Sequence, residues 1–267
     1  MNWSLKWDIF IQKLAVQNEH GEYIYLKQLQ NGLDTTIKIA VLGFIIGMLI
    51  GTLVATIRVA PKYKFIFKIL DKICSIYVAV FRGTPMVVQL LLAYYVVWPL
   101  ISPIASGPIA EAILLKVGGV ETLVGIMTFG LNSGAYVSES MRGGISSVDR
   151  GQLEAGRAVG LNYCTAMIKI VIPQAIKNIL PTLGNEFITL IKETSVLSFI
   201  TVIDLFNVLK NIATANQNYE FVVPYTVLGV IYIILVLIIT LIVKIIEKIL
   251  AKSDRRTDKP KKAKVRS

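Results

Sequence analysis

The residues of this chain that carry charged or reactive chemistry are few, and their types point to binding rather than to bond-making. There is one histidine, His20, with no metal-ligating partner nearby in sequence. The two cysteines, Cys74 and Cys164, lack accompanying histidines and spell no zinc site. No GxxxxGK[ST] phosphate loop occurs anywhere, so the chain is not itself an ATPase. No Ser/His pair or close carboxylate pair suggests an enzyme. What remains is a set of polar side chains inside long apolar runs: Tyr136, Glu139 and Arg142 in one, Lys192, Glu193, Thr194 and Ser195 in another. An ionisable group at membrane depth is expensive and seldom faces lipid. The adjacent charges and hydroxyls at Lys192–Ser195 suit the carboxylate and ammonium of a zwitterion, and Tyr136 could stack on a cationic side chain. The competing assignments are an ion-pair network between helices, reaching Arg82 as well, and core packing for Tyr136.

The elements that must position these residues follow from composition. Of 267 residues, 54% are hydrophobic and only 17% charged. Soluble domains sit near 45–50% apolar with about a quarter charged. The chain therefore reads as an all-α polytopic membrane protein with five transmembrane helices, at about 37–57, 85–100, 122–141, 181–206 and 224–243. Residues 1–34 form an N-terminal segment with a short interfacial helix at Ile9–Val16, 35–250 the transmembrane domain, and 251–267 a basic tail. Asp34 or Thr35 is expected to cap the first span, and Thr84 the second, with Pro85 in its first turn. Ile73–Phe81 reads as too short to cross, and both Ser102–Glu121 and Asn207–Val223 read as loops. Gly43, Gly47 and Gly51 lie four apart on one face of the first span, which predicts a close helix–helix contact.

Charge sets the orientation. Residues 58–82 carry six Lys/Arg against one acid, 142–177 five against two, and 244–267 ten against three. The alternate segments are poor in bases: 1–34 has three against four acids, while 102–121 and 204–223 each have one against two. The positive-inside rule then puts the N-terminus outside and the C-terminus inside. The formal charge of +11 is thus explained by orientation and by affinity of the tail for anionic membrane lipids, with no nucleic acid required. Both cysteines fall on the inner side, where a disulfide is not expected.

On the same side lies Gly151–Ala175, a polar island with no spanning run. Glu154, Ala155, Arg157 and Ala158 favour helix, Gly160 supplies a stop, and Pro173 can open the next helix. A short surface helix between two spans suits docking to a soluble partner; an ordinary loop helix is the plainer alternative.

At these residues the chain resembles the membrane subunits of ABC importers. Glu154, Ala155 and Gly160, followed by Pro173, Gln174 and Ala175, resemble the EAA loop, with Gly156 where a second alanine is usual. Three further stretches resemble the polar-amino-acid branch of these permeases. They are FRGTPMVVQL at Phe81–Leu90, GAYVSESMRGGISSVDRGQLEAG at Gly134–Gly156 and LPTLGNEFITLIKETSV at Leu180–Val196. Ser138 stands where alanine is usual, and Glu193 where aspartate is commoner. The likeness covers roughly Gly32–Phe206, and in hydropathy reaches Val243. It implies a type I importer permease fold in a bacterial cell membrane, and a role for Gly151, Glu154, Ala155, Gly156 and Gly160 in coupling to an ATPase. It also implies a second permease copy or paralogue, a cytoplasmic ABC ATPase dimer holding ATP and Mg, an extracytoplasmic solute-binding protein and an amino-acid substrate. No cofactor is expected in this chain. The rival reading is an ion-gradient-driven transporter, but those folds usually show internal repeats and more spans, and no repeat is found here. A scaffold or channel would leave the polar island without a purpose.

Overall fold

The computed structural model describes residues 3–63, 65–103, 107–214 and 221–257, with side chains to 249. Among them there is no strand, only an isolated bridge between Gln17 and Tyr23. The helices are α1 (Trp3–Leu14), α2 (Ile24–Val59), α3 (Phe65–Gly83), α4 (Met86–Leu92), α5 (Trp98–Ile101) and α6 (Pro108–Val117). They continue as α7 (Val120–Ser146), α8 (Arg150–Ala158), α9 (Tyr163–Ala166), α10 (Ile172–Glu193), α11 (Leu205–Thr214) and α12 (Val222–Thr257). Residues 258–267, most of the predicted basic tail, lie outside the described residues.

The bundle is organised on α2 and α7. A Cβ added at Gly43, Gly47 or Gly51 would lie within 3.0 Å of Phe129, Ser133 or Val137 respectively. The glycine row therefore is the contact, and its register shows that the two helices run parallel. Gln89 and Tyr94 meet α7 at Asn132 and Glu121, so α4 runs antiparallel to it. Phe44 packs on Phe187, while Gly144 packs on Ile179. Val243 fills the notch at Gly184, and Tyr232 meets Thr194, so α12 is antiparallel to α10.

Among the described residues, two helices are long and apolar enough to cross a membrane alone, Ile24–Val59 and Val222–Ile249. Three further crossings would each be a bent pair: Phe65–Gly83 with Met86–Ile101 at 108°, Pro108–Val117 with Val120–Ser146 at 83°, and Tyr163–Ile200 with Leu205–Thr214 at 52°. Several expected boundaries move. The first N-terminal helix is Trp3–Leu14, held by Lys13, which donates to the Ile212 carbonyl at 2.8 Å. Helix α2 starts at Ile24, so Asp34 and Thr35 are interior and cap nothing. Its early turns are supported by α11: Gly32 abuts Asp204 and Val208, and Thr36 Oγ1 accepts from the Leu205 N–H. Helix α11 is itself a correction, since Leu205–Thr214 is not loop; Val208, Leu209, Ile212 and Ala213 are buried. Asp204 caps it, accepting from the Asn207 N–H at 2.9 Å.

Ile73–Phe81 belongs to the continuous helix α3, and Thr84 does not cap α4. Its hydroxyl donates to the Val80 carbonyl, and Gln89 Nε2 binds the Phe81 and Thr84 carbonyls instead. Pro108–Val117 forms α6 within the expected loop, opened by proline and closed by Gly118 at φ 99°. In the fourth crossing Pro181 is interior, the helix turns 3₁₀ at Thr194–Ile200 and ends on Thr201 at φ 62°. Two π turns, Ala93–Val97 and Met167–Val171, directly precede Pro99 and Pro173. A proline inside a helix removes an N–H and crowds the carbonyl four residues back; a wider turn absorbs both defects.

Candidate functional site

Helix α8 is built as a small projecting unit. Asp149 caps it by accepting from the Gly151 N–H at 2.8 Å. At its far end Gly160, at φ 91°, donates to the Arg157 carbonyl at 3.0 Å, and the Leu161 N–H reaches the Gly156 carbonyl at 3.2 Å. These two bonds form a Schellman close, which satisfies carbonyls that the helix end would otherwise orphan. Only Gly156 is buried in α8. A Cβ there would sit 2.6 Å from Ile170 Cδ1 and 3.4 Å from the Ala166 Cβ, so glycine lets α8 lie against the π turn. Gly151, Glu154, Ala155 and Arg157 are exposed, as is Val159 at 80%. The Pro-Gln-Ala stretch supports this unit from behind. Ala175 is fully buried, and Gln174 Nε2 donates to the Ile170 carbonyl at 2.9 Å while reaching Gln152 at 3.5 Å.

The polar residues inside the bundle fall into two groups. In the first, Glu139 is clasped between helices: Arg58 of α2 bonds Oε1, and Arg142 bonds Oε2 through Nη2 at 2.7 Å and Nε at 3.1 Å. Arg82, at the end of α3, lies 4.0 Å from the same oxygen and sits over the Tyr136 ring, 5.2 Å from its centroid. Of the two expectations for this pair, it is the ion-pair network between helices that the contacts describe.

In the second group the four consecutive residues diverge. Lys192 is exposed and Glu193 half-buried. Thr194 is fully buried, donating to the Ile191 carbonyl at 2.7 Å, with the Tyr232 hydroxyl at 3.4 Å. Ser195 Oγ donates to the Lys192 carbonyl at 3.1 Å. Both hydroxyls thus serve the end of α10, as such side chains do when they bond back into a helix.

Sequence reasoning placed Glu186 in the fourth span but left it out of the candidate site, and the structure brings it in. It is half-buried. It belongs to a polar stripe along α10, with Thr182, Asn185, Thr189 and Glu193 spaced three or four apart. The opposite side of α10, with Leu180, Leu183 and Phe187, lines an apolar groove of about 340 Å³ against α2 and α12. The helical spacing of polar residues in an apolar run is the sequence signal that marks this stripe.

Against known proteins, residues 43–253 match the family described as binding-protein-dependent transport system inner membrane component. A putative glutamine transport system permease protein of Rickettsia bellii is 37% identical over 169 residues, covering 63% of this chain and 70% of that one. The arginine transport system permease protein ArtQ of Bacillus subtilis is 36% identical over 215 residues, covering 77% and 84%. Among solved structures, an amino acid ABC transporter crystallised with histidines superposes with a TM-score of 0.68 at 33% identity, covering 84% of this chain and 94% of that one. The MetNI methionine ABC transporter in an inward-facing conformation has a TM-score of 0.60 at 21% identity, covering 88% and 99%, and shares the fold.

Proposed function

This chain belongs to the family of binding-protein-dependent transport system inner membrane components, and from that footing we propose how it works and with what. It is a permease subunit of an amino-acid ABC transporter and not an enzyme, as its relatives are. The family works with ATPase and solute-binding partners in general. Our reading is that this chain imports a polar amino acid handed over by an extracytoplasmic binding protein. Two copies, or this chain and a paralogue, would enclose the path in a bacterial plasma membrane. ATP and Mg would be held by a separate pair of cytoplasmic ATPases. Five crossings, N-terminus outside and C-terminus inside, fit the alternating directions of α2, α4, α7, α10 and α12 and the basic loops.

The observation that carries the coupling assignment is α8. It is a capped, Schellman-closed helix that buries only Gly156 and presents Glu154 and Ala155 to solvent. A rigid element with one acidic side chain fits a basic groove on a soluble partner through a charge-assisted pair. Closure of the ATPase pair on ATP would push on α8 in each copy. Because α8 packs on the π turn that leads into α10, the push would reach the polar stripe and re-aim it from one side of the membrane to the other. Tyr136, Glu139, Lys192, Glu193, Thr194 and Ser195 are proposed to line or brace that path.

The test is Glu154→Arg in the complete transporter, reconstituted in liposomes with its own ATPase and binding protein. Reversing the charge is expected to cut substrate-stimulated ATP hydrolysis and uptake by at least about tenfold, the scale of a lost charge-assisted contact. Uptake and stimulation at wild-type rates in this variant would refute the coupling role of Glu154. Uptake driven by an ion gradient without any ATPase would refute the importer reading as a whole.

A further inference from the structure

The side of α10 that turns away from the polar stripe borders a space that no side chain of the fold fills. At about 100° per residue, Leu180, Gly184 and Phe187 stand opposite Thr182, Glu186 and Thr189. With α2 and α12 they line the apolar groove of about 340 Å³ described above. A second cavity, of about 410 Å³, lies between α2, α7 and the first half of α10. Met48, Leu180 and Leu183 line both, so the two form one trough. Along α2 it runs from Val41 to Thr56, ~22 Å at ~1.5 Å per residue. That exceeds the ~15 Å of hydrocarbon depth in one leaflet. The trough offers an occupant no hydrogen bond. The groove is lined by apolar side chains and Gly184, and in the second cavity the Thr52 and Thr56 hydroxyls donate to the Met48 and Thr52 carbonyls at 2.6 and 2.7 Å. An apolar cavity of about 150 Å³ stays dry and takes benzene; each half of the trough is more than twice that size. Cations flank it. Lys177 follows the lining residue Ile176 on α10, and Lys244 and Lys248 bracket Ile246 on α12. Lys244 and Lys248 are exposed and make no hydrogen bond or ion pair among the described residues. Glu247 is the only acid among the described side chains of α12.

We propose that the trough is a binding site for an anionic phospholipid, one acyl chain lying along α10 and the phosphate held by Lys177, Lys244 and Lys248. The inference goes beyond the transport reading and needs only that the chain sits in a membrane. A long, dry, hydrogen-bond-free space suits a saturated hydrocarbon and nothing that must hydrogen-bond. A second copy of the chain would share the path on the polar side of α10, so the opposite side is left to lipid. Lysine stems are long and lie along apolar surface while the ammonium follows the headgroup level. Cations from two helices then favour a phosphate with net negative charge. Phosphatidylcholine carries its own quaternary ammonium and would bring a further cation beside the lysines. The site therefore selects phosphatidylglycerol over phosphatidylcholine. The bound chain backs α10 from behind, on the face away from the stripe.

The experiment uses the whole permease–ATPase complex in liposomes of equal phosphatidylglycerol and phosphatidylcholine, each tested in turn with a photoreactive group on its acyl chain. After illumination, labelled peptides are located by mass spectrometry. The reference is α3, whose Ile69, Ile73 and Ile76 are exposed and report ordinary contact with bulk lipid. Labelling of Met48 and Leu183 relative to α3 is expected to be about fivefold or more higher with phosphatidylglycerol than with phosphatidylcholine, the scale of one headgroup–lysine attraction. Lys177→Gln with Lys244→Gln and Lys248→Gln is expected to bring that ratio to about one. Ile45→Trp with Ile242→Trp, two lining residues each half exposed, adds bulk at the mouth and is expected to remove the labelling of Met48 and Leu183 while α3 stays labelled. Because every signal is scored against α3 in the same sample, partial misfolding of a variant does not mimic these results. Trough labelling no stronger than that of α3, equal labelling by the two lipids, or a preference unchanged in the lysine variant overturns the proposal. So does a trough that excludes lipid and crosslinks instead to a second copy of the chain. ATP-driven uptake is scored separately: its absence removes the transport reading and leaves the lipid result standing, whereas normal uptake without selective trough labelling removes only this inference.

Discussion

Glu139 illustrates how little of a buried charge's role is written in its own position. From the sequence it is a carboxylate in an apolar run, equally suited to a ligand or to an ion pair; only folding brings Arg58, eighty-one residues earlier, against it. Thr194 and Ser195 read as ligand hydroxyls because they follow two charges, yet each is satisfied by a carbonyl three residues back. Glu186 was legible in principle, since the sequence carries its helical spacing to Glu193 along one face of α10. At the surface the outcome is simpler. Glu22 receives the Lys27 ammonium at 2.8 Å, and this bond, with that from Asn18, holds its carboxyl below the usual glutamate range. The fold thus prefers the ionised form. Its contribution is complete above the unfolded value of about 4.3 and is lost as pH falls through the lowered folded value. Hydrogen exchange across Gln17–Ile24 should therefore be slower in the wild type than in Glu22→Gln above that range, and the two should converge in more acidic solution. Identical profiles at neutral pH would show that this half-exposed pair contributes nothing.

Elements were legible where local signals and tertiary demands agreed. The glycine row of α2 predicted a close contact, and Gly43, Gly47 and Gly51 all lie buried against α7. Helices α3, α6 and α11 were not legible as such. Helices α6 and α11 are too short to span alone, and α3 carries Lys68, Asp71, Lys72 and Arg82; α11 owes its form to a buried face, Leu205–Ala213, whose partners are on α1, α2 and α12. Pro173 was expected to open a helix and Pro181 to begin the fourth span; Pro173 instead follows a π turn, as Pro99 does, and Pro181 lies inside a continuous α10. The end of α8 is the clearest case of agreement, because a glycine after a helix-forming run is the residue a Schellman close demands. Gly160→Ala tests it. At φ 91° a Cβ meets no neighbour in space, so the penalty is purely conformational, about 1–2 kcal/mol for an L-residue held left-handed. A melting transition of the purified protein at lower temperature, with looser ATPase coupling, is the expected result. An unchanged transition would mean that α8 is held by its docking partner rather than by its own close.

At the scale of the whole molecule, two independent features support the proposed orientation of the chain in a membrane. Helices α2, α7 and α12 run one way and α4 and α10 the other, by the register of their side-chain contacts. The segments rich in lysine and arginine follow α2, α7 and α12 in every case, and the acid-balanced ones follow α4 and α10. Geometry alone cannot say which end faces the cell interior; charge retention of cationic loops on the cytoplasmic side can. The native cysteines provide the measurement. Cys164 is exposed just beyond α8, and Cys74 is buried between α3 and its neighbours. In intact cells expressing the complete transporter, a membrane-impermeant maleimide should leave Cys164 unmodified, while a permeant maleimide should label it and Cys164→Ser should abolish that signal. A His20→Cys variant lacking both native cysteines should react with the impermeant reagent from outside. Labelling of Cys164 by the impermeant reagent, with His20→Cys protected, would invert the topology. It would also separate α8 from any cytoplasmic ATPase, so the orientation and the coupling assignment stand or fall together.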